Sequence, residues 1–538
     1  QRNIEAITLL KKLEEEGRLA TPEEQSILAG YAGWGGIPQA FDPGNRRWTH
    51  EHTVLRELLD EDEYQCARAS TPNAHYTAPE VIQGIYKALA SFGFAGGRVI
   101  DPALGVGGFF AHYPPEWMEK TTLHGVELDS LSGRIARQLY PNADIRIQGF
   151  ETTDYPDGYF DVFVGNVPFG NYRLLDAQLN QQNLLIHDYF FAKALYKVRS
   201  GGIIIFITSK GTLDKKDSSF RQYMAQRASL LGAIRLPNNA FAASANTEVT
   251  SDILFLQKRS SPIFELTQKE LEWVELGETE DSIPINRFYQ LNPHMMLGKM
   301  IRDTNQFGET TELAPDNSRT LADQLAEAIT QLHGNIAQRD ATEEEKYILA
   351  DPQVKNYSYT VFDGAVYYRE GGVMHLVEGL RPKQVERIEG MVDIRRSLHK
   401  LLDMQLKGCT DNQLTMAQQD FNQIYDTFVA KYGYLNAPVN YRIFAEDCDA
   451  ALLLSLEYES SEDEGLDDSQ KTYAKADVFY KRTLGMVKEI SSAENARDAL
   501  TLSLNNKGHV DFAYMQKLYD KPLEAIIREL GEQIYLDP

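Results

Sequence analysis

The sequence predicts an α/β domain built on a mostly parallel sheet, flanked by an N-terminal helical segment and a mostly helical C-terminal region. Between residues 71 and 260, apolar runs of strand length alternate with stretches of helical spacing, which is typical of a parallel sheet covered on both faces. A chain of 538 residues is also too long for a single compact core. We therefore expect three segments: 1–70 helical, 71–260 α/β and 261–538 mostly helical.

Local periodicity and turn signals place the individual elements. Apolar residues recur at helical spacing from Ile4 to Leu13, and Thr21 before Pro22 has the form of a helix N-cap. In the α/β domain we predict a helix over 79–89 and strands over 98–100, 123–127, 144–147, 161–164, 203–208 and 253–257. In the last segment we predict helices over 321–332, 385–405 and 413–432 and a hairpin over 359–377. We predict that the acidic stretch 457–468 is a solvated loop.

The composition indicates the environment of the chain. Hydrophobic residues make up 43% of it without any run long enough to span a membrane, so we expect no membrane partner. Three widely spaced cysteines, Cys66, Cys409 and Cys448, form neither a metal-binding spacing nor a disulfide framework, which predicts no metal and a cytoplasmic location. The net charge of −24 does not favour nucleic-acid binding. A chain that starts with Gln1 is expected to be a piece of a longer protein.

Two segments at predicted strand ends indicate a nucleoside cofactor. Asp101-Pro102-Ala103-Leu104-Gly105-Val106-Gly107-Gly108 follows a strand, and glycines there let the backbone approach a ligand, although a purely structural turn is an equal alternative. The next strand ends in Glu127-Leu128, where a carboxylate can accept both hydroxyls of a ribose. The glycines lack the spacing that binds a pyrophosphate, which favours S-adenosylmethionine over NAD.

A third strand end carries Asn166-Val167-Pro168-Phe169. The Asn166 side-chain oxygen and the Val167 carbonyl can accept hydrogen bonds from an amino group and turn its lone pair toward a methyl donor. Pro168 stiffens the loop, and Phe169 offers a face for an extruded base. A structural turn could carry the same residues, but their order after the glycine loop and the acidic strand end favours catalysis.

The segment Gly149-Phe150-Glu151 follows the strand predicted over 144–147. Either Phe150 packs on the adenine of the cofactor and Glu151 accepts its amino group, or neither residue contacts it. Both are retained as predicted cofactor-binding residues.

Asn166-Val167-Pro168-Phe169 resembles the Asn-Pro-Pro-Tyr/Phe motif of amino-directed DNA methyltransferases, and Asp101 to Gly107 resembles their cofactor loop. The motif order is similar to that of the gamma class, in which a segment like Tyr76-Thr77-Ala78-Pro79 covers the methionine end of the cofactor. Val167 stands where the general motif has proline, which keeps the carbonyl but adds an N–H and some freedom. The resemblance implies a Rossmann-like S-adenosylmethionine-dependent methyltransferase domain that methylates N6 of adenine in DNA.

Several stretches more narrowly resemble the large methyltransferase–helicase fusion proteins of mobile elements and phages. They are Tyr31-Ala32-Gly33-Trp34-Gly35-Gly36, Ala74-His75-Tyr76-Thr77, Gly165-Asn166-Val167-Pro168-Phe169-Gly170, Ile207-Thr208-Ser209-Lys210-Gly211-Thr212-Leu213-Asp214, Ala233-Ile234-Arg235-Leu236-Pro237 and Ala474-Lys475-Ala476-Asp477. The resemblance implies a helicase region in the same full-length protein as a partner. No Walker-type motif occurs in this chain, which would then precede the motor.

Basic residues after the catalytic motif are hypotheses for DNA contacts, with solvated surface charge as the alternative: Lys210, Lys215, Lys216 and Arg235. Three other functions stay open at this point. The same set of acceptors suits an adenine in RNA or a glutamine side chain in a protein. A catalytically silent module that positions a helicase on DNA is the non-enzymatic alternative.

Overall fold

The computed structural model describes residues 1–35, 37–71, 77–170, 172–176, 179, 184–241, 249–305, 308–337, 348–351, 353–459, 471–485, 492–508 and 510–535. The chain divides into two compact units. The first comprises 1–349 with 371–373, and the second comprises 350–370 with 374–538.

A seven-stranded sheet forms the centre of the first unit. Its strands are β1 (Gly97–Asp101), β2 (Thr121–Glu127), β3 (Asp144–Ile147), β4 (Phe160–Asn166), β5 (Val198–Ser209), β6 (Ala228–Leu236) and β7 (Ser251–Lys258). They lie in the order β3-β2-β1-β4-β5-β7-β6. The pairs among β1 to β5 are parallel, whereas β7 runs antiparallel to both β5 and β6. The prediction of a mostly parallel sheet is confirmed.

The central strands are buried on both faces. All residues of 203–207 in β5 and of 253–256 in β7 are completely buried. Successive residues of a strand point to opposite faces, so this pattern requires layers on both sides of the sheet. Helices before and between the strands supply cover, and they are Pro79–Ser91, Ser130–Leu139, Ile186–Lys197 and Ser219–Arg227.

Strand β6 was not predicted from the sequence. Its register shifts between Leu230 and Gly232, and Ser229 and Gly232 interrupt its apolar pattern. A bulge adds one residue to a strand and breaks the periodicity on which a prediction depends.

The order of the strands places a ligand site between β1 and β4. From β1 the chain proceeds outward to β2 and β3, and it then returns to the other side of β1 with β4. Ligands of open α/β sheets bind at such a reversal, beyond the carboxyl ends of the strands. Asp101 ends β1 and Asn166 ends β4.

The first unit also contains elements that precede and follow the sheet along the chain. Before it come the helices Arg2–Glu15, Pro22–Leu28, Thr49–Leu58 and Glu61–Ser70, which confirm the predicted helical character of the N-terminal segment. After it come Gln268–Val274, Leu276–Glu278, Pro284–Asn286, Arg287–Leu291, Gly298–Asn305, Gly308–Pro315 and Leu321–Thr330. Trp273 and Leu325 belong to the same hydrophobic core as the sheet. The domain boundaries at 70 and 260 stay predictions.

The second unit is mostly helical, and its strands are short. Its helices are Pro382–Lys407, Asp411–Tyr432, Pro438–Phe444, Ala450–Leu454, Ala496–Lys507, Phe512–Tyr519 and Leu523–Leu530. The predicted hairpin is present as Tyr359–Phe362 paired with Ala365–Glu370, followed by Val373–Leu376. No helix of the described residues is long and apolar enough to cross a membrane.

The predicted acidic loop over 457–468 is wrong at its start. Glu457–Glu459 is a strand that pairs with Tyr473–Lys475. Glu457 is buried and accepts hydrogen bonds from the Tyr425 hydroxyl at 2.6 Å and the Leu435 backbone N–H at 2.8 Å. These donors satisfy a charge that composition alone assigns to solvent. Residues 460–468 lie outside the described residues.

Candidate active site

A cavity of about 370 Å³ opens at the carboxyl ends of β1, β2 and β4. Most of the residues assigned to cofactor or catalysis line it, namely Thr77, Asp101, Pro102, Ala103, Gly105, Glu127, Leu128, Phe150, Glu151, Asn166 and Pro168. Gly107, Val167 and Phe169 are not among the lining residues. Tyr76, predicted to cover the methionine end of the cofactor, lies outside the described residues. The cavity has the size of a small-molecule site.

The loop after β1 is fixed by the end of β2. The Leu104 N–H donates to the Val126 carbonyl at 3.0 Å, and the Gly105 N–H donates to Glu127 Oε2 at 2.7 Å. Gly105 has a φ of +57°, in the left-handed region that favours glycine. The loop therefore turns at the strand end and presents its backbone to the cavity, as the sequence predicts.

Glycine is required at position 107 for a different reason. Its φ is +87°, and a Cβ at this position would lie 2.3 Å from Tyr140 Cε2. The Tyr140 hydroxyl donates to the Gly107 carbonyl at 2.9 Å. This glycine is required by close packing on Tyr140, and the structure does not bring it to the cavity wall.

Two carboxyl groups at strand ends face the cavity in surroundings that favour their neutral form. Burial raises the pKa of Asp101 to about 8, against a hydrogen bond from the Ala103 N–H at 3.1 Å, and the charge of Glu127 raises it further. Burial also raises the pKa of Glu127 to about 7, against hydrogen bonds from the backbone N–H groups of Asp129 and Gly105. A cation bound beside these groups would favour their ionised forms.

The wall formed after β2 and β3 is largely apolar. Leu128 is 74% exposed and lines the cavity, and the buried Phe150 lines it with its ring centroid 5.2 Å from that of Phe190. The Glu151 carbonyl accepts a hydrogen bond from Lys193 Nζ at 2.9 Å, which fixes the backbone of this turn. Exposed leucine and aromatic surface together suit a flat ring.

The catalytic motif continues the sheet by one residue. The Val167 N–H donates to the Ile207 carbonyl of β5 at 3.1 Å, and the Val167 side chain is buried. The additional N–H of valine is thus bound in the sheet, and the freedom that the sequence suggested is absent. Phe169 is half-buried against the core.

Tyr172 is an aromatic residue of the site that sequence reasoning missed. It is 42% exposed and lines the cavity, three residues beyond Phe169. Its carbonyl accepts the Ile186 N–H at 2.9 Å, which ties the segment to the start of the helix Ile186–Lys197. The signal in the sequence that could have identified Tyr172 is its aromatic side chain only three positions after the catalytic motif.

Two family models match separate parts of the chain. Residues 62–287 match the family N-6 DNA Methylase, and residues 492–538 match the family described as probable helicase, winged helix domain. We call residues 62–287 the methylase domain, after the family model that they match. The predicted resemblance to a methyltransferase joined to a helicase component is confirmed by these two matches.

One curated relative and several solved structures are similar to parts of the chain. Defense against restriction protein B of Escherichia phage P1 is 28% identical over 269 residues, which are 49% of this chain and 10% of that protein. The type I restriction-modification system methyltransferase subunit from Streptococcus thermophilus is 13% identical, with a TM-score of 0.31 over 55% of this chain and 74% of that one. The type IIG restriction endonuclease BpuSI is 14% identical, with a TM-score of 0.30 over 49% and 37%. The matched part is thus about a tenth of the length of the curated relative.

Arg235, predicted to contact DNA, is an internal residue of the methylase domain. It is completely buried, and its guanidinium donates to both carboxylate oxygens of Asp252 at 2.8 and 2.9 Å and to Asp214 at 2.8 Å. The ring of Tyr289 lies 4.4 Å below it. The prediction is corrected, because a guanidinium enclosed by two carboxylates in the core cannot reach a phosphate.

The other predicted DNA contacts of the methylase domain differ in accessibility. Lys210 Nζ donates to the backbone carbonyl and the hydroxyl of Thr311, and Lys215 forms an ion pair with the buried Asp188. Lys216 is exposed. Of the four residues, Lys216 alone has a side chain that is exposed and for which the described residues show no ion pair.

The winged-helix match covers three short helices in the described part of 492–538, Ala496–Lys507, Phe512–Tyr519 and Leu523–Leu530. Ala499, Met515 and Ile526, one from each helix, are buried together in a small core of their own. Sequence reasoning recognised only a helical region here, because short helices without distinctive polar residues carry little functional signal.

One group in the second unit combines three potential metal ligands among the described residues. Asp447, Cys448 and Asp449 have ligand atoms within 4.8 Å of one another. Asp447 already pairs with Arg395, and Asp449 accepts from His399 Nε2 at 2.8 Å. These partners account for both carboxylates without a metal.

Proposed function

We propose that the methylase domain transfers a methyl group from S-adenosylmethionine to the N6 amino group of adenine in DNA. The observation that carries the proposal is the meeting of three strand ends at one cavity: the Gly105 loop after β1, Glu127 after β2 and Asn166 after β4. The first two suit a ribosyl cofactor, and the third suits an amino-group substrate.

The cavity fits the chemical features of this cofactor. Glu127 Oε1 and Oε2 already accept the backbone N–H groups of Asp129 and Gly105, which orients the carboxylate for ribose hydroxyls. Asp101, with its pKa raised by burial, suits a ligand that carries positive charge near the end of β1. Leu128 and Phe150 suit the flat face of an adenine ring.

The cofactor would supply a methyl group on a positively charged sulfur, and the chain would supply position. In the proposed mechanism the Asn166 side-chain oxygen and the Val167 carbonyl accept hydrogen bonds from the target amino group. This localises the nitrogen lone pair toward the methyl donor. Holding the two reacting groups in line accounts for much of the acceleration of such a displacement. The target adenine stacks on an aromatic face of the loop, with Phe169 or Tyr172 as the nearest choices.

The choice of DNA rests on the methylase match and on the winged-helix match near the C-terminus. The substrate base must leave the duplex stack, at a cost of a few kcal/mol that stacking and hydrogen bonds in the cavity offset. We further propose that 71–260 performs catalysis and that 261–538 contributes DNA contacts or links to a helicase region of a longer protein.

The test is transfer of labelled methyl groups to duplex DNA, single-stranded DNA, RNA and protein, with Asn166→Ala beside the unchanged chain. We expect transfer to adenine N6 in DNA to fall by about 10²-fold or more in Asn166→Ala, with cofactor affinity within about threefold. Asn142→Ala, at an exposed position, is the control and should keep full activity. Full activity of Asn166→Ala would refute the mechanism, and labelling of RNA or protein instead of DNA would refute the substrate.

A further inference from the structure

The wall of the cavity includes residues of the N-terminal segment 1–70, one of which precedes the methylase match. Gly33 lies 29 positions before residue 62, where the match begins, and it lines the cavity. Cys66, Ala69 and Ser70 of the helix Glu61–Ser70 line the same cavity. Their spacing of three and four residues places these three on one face of the helix. The N-terminal segment therefore contributes two pieces of chain to this wall.

Dedicated hydrogen bonds hold the turn at Gly33. The side chain of the buried Asn3 donates to the Gly33 carbonyl and accepts the Ala32 N–H at 2.9 Å. Gly33 has a φ of +61°, in the left-handed region. An amide that bonds to the backbone of two successive residues specifies the path of the turn, and its burial protects both hydrogen bonds from water.

A chain of aromatic contacts joins the turn to the helix. Trp34 packs edge-to-face on Tyr31 and on Phe41, with centroid distances of 6.3 and 5.0 Å. Phe41 packs in turn on Tyr64 of the helix Glu61–Ser70 at 5.3 Å. The Gly33 turn and the helix Glu61–Ser70 thus pack together as one body, called the N-terminal body below, and are not separate loops.

This body is attached to the helix that follows Glu127. Arg134 of the helix Ser130–Leu139 donates to Glu14 at 2.8 Å and to Glu63 at 2.6 Å, and Lys11 donates to Glu63 at 2.7 Å. Burial opposes ionisation of Glu63, but the two basic partners hold its pKa below the ordinary value. An ionised, paired Glu63 fixes the position of the wall relative to the strand end.

Apolar contacts also attach the N-terminal body to the helix Ser130–Leu139. Val106 of the cofactor loop, with Leu131 and Ile135 of the helix Ser130–Leu139, shares one hydrophobic cluster with N-terminal residues such as Leu10 and Trp34. The cofactor loop and the N-terminal body therefore bury each other's surface.

We infer that the N-terminal body is a built-in part of the cofactor site, and that the Gly33 turn and the Cys66 face close over the ribose side of bound S-adenosylmethionine. Cys66, Asp129 and Glu127 all line the cavity, and burial together with the charge of Asp129 raises the pKa of Cys66. The Asp129 N–H donates to Glu127, the residue that suits the ribose, at 2.8 Å. This inference rests on the proposed function, since it assigns a further contact surface to the same ligand. Asn3 acts as a positioning residue through Gly33.

The first test uses Cys66 as a probe, with Cys448 as an internal control. Both cysteines are exposed, and Cys448 belongs to the second unit. The full chain is alkylated with N-ethylmaleimide, with and without S-adenosylhomocysteine, and both peptides are quantified by mass spectrometry. Because only unliganded chains stay reactive, about 95% saturation should slow alkylation of Cys66 by about 20-fold. Cys448 should react at an unchanged rate.

The second test measures the positioning residue. Asn3→Ala should weaken S-adenosylmethionine binding in calorimetry by about fivefold and raise its KM, with kcat at saturating cofactor unchanged. Thr8→Ala, exposed on the same helix, is the control and should change neither. If calorimetry detects binding but Cys66 reacts at the same rate with ligand present, the inference is wrong and the proposed function stands. If no cofactor binds the unchanged chain, the proposed function itself fails.

Discussion

Cofactor affinity should rise steeply with pH near neutrality. In the free protein Asp101 has a pKa of about 8 because it is buried, so at pH 7 and below it is mostly neutral. In the proposed complex it faces a positively charged ligand and is ionised. Binding therefore releases a proton, and raising the pH favours the bound state.

The size of the effect follows from the ionised fraction of each carboxyl group. For Asp101 that fraction increases about ninefold between about pH 6 and about pH 7, and for Glu127, with a pKa of about 7, about fivefold. The dissociation constant should fall by at least the first factor over this interval. Stability of the free protein has the opposite sign: the fold keeps a proton that the unfolded chain releases, so its stability declines as pH rises from about 4 to about 8.

The assay is isothermal titration calorimetry with S-adenosylmethionine at about pH 6, 6.5 and 7. Repeating each titration in two buffers of different ionisation enthalpy counts the released protons. Asp101→Asn keeps the size of the side chain but removes its titration, so the variant should lose most of the dependence. A flat affinity in the unchanged chain, or an equal slope in Asp101→Asn, would refute the assignment of Asp101.

Three further outcomes are expected. Glu127→Gln should weaken cofactor binding by about tenfold or more in calorimetry, because an amide offers one acceptor where the carboxylate offers two. Gly107→Ala should lower the free energy of unfolding in urea by about 2–4 kcal/mol, and adding Tyr140→Ala should recover part of the loss if the 2.3 Å approach to that ring is the cause. Arg235→Met should cost about 3–5 kcal/mol in the same measurement by leaving the buried Asp252 unpaired, and adding Asp252→Asn should restore part of it; an additive double variant would argue against the pairing.

Elements with strong local signals were predictable from the chain. The six predicted strands of the sheet are present because apolar runs such as 203–208 are buried on both faces and need no alternation. The helices over 385–405 and 413–432 are present within Pro382–Lys407 and Asp411–Tyr432. Strand β6 was not predictable, since its bulge near Gly232 breaks the pattern, and the direction of β7 depends on pairing with distant strands.

The opposite holds for charged residues, whose roles depend on what surrounds them. Arg235 stands in the sequence like any basic residue after the motif, yet Asp252 and Asp214 enclose it in the core. Glu457 lies in an acidic stretch, yet Tyr425 donates to it in the interior. None of these three partners is near in sequence, so sequence reasoning placed Arg235 and Glu457 at the surface, the first as a DNA contact or solvated charge and the second in a solvated loop.

The sequence by itself determined the order of three strand-end motifs, because each needs only a strand followed by particular residues. That order was sufficient to predict the parallel sheet, the Gly105 loop with Glu127, and Asn166 as residues of one site. The tertiary structure decided which residues meet across long distances: that Gly107 packs on Tyr140, that Arg235 is internal, and that Gly33 reaches the cavity wall. Such contacts depend on the packing of whole elements, and no local pattern encodes them.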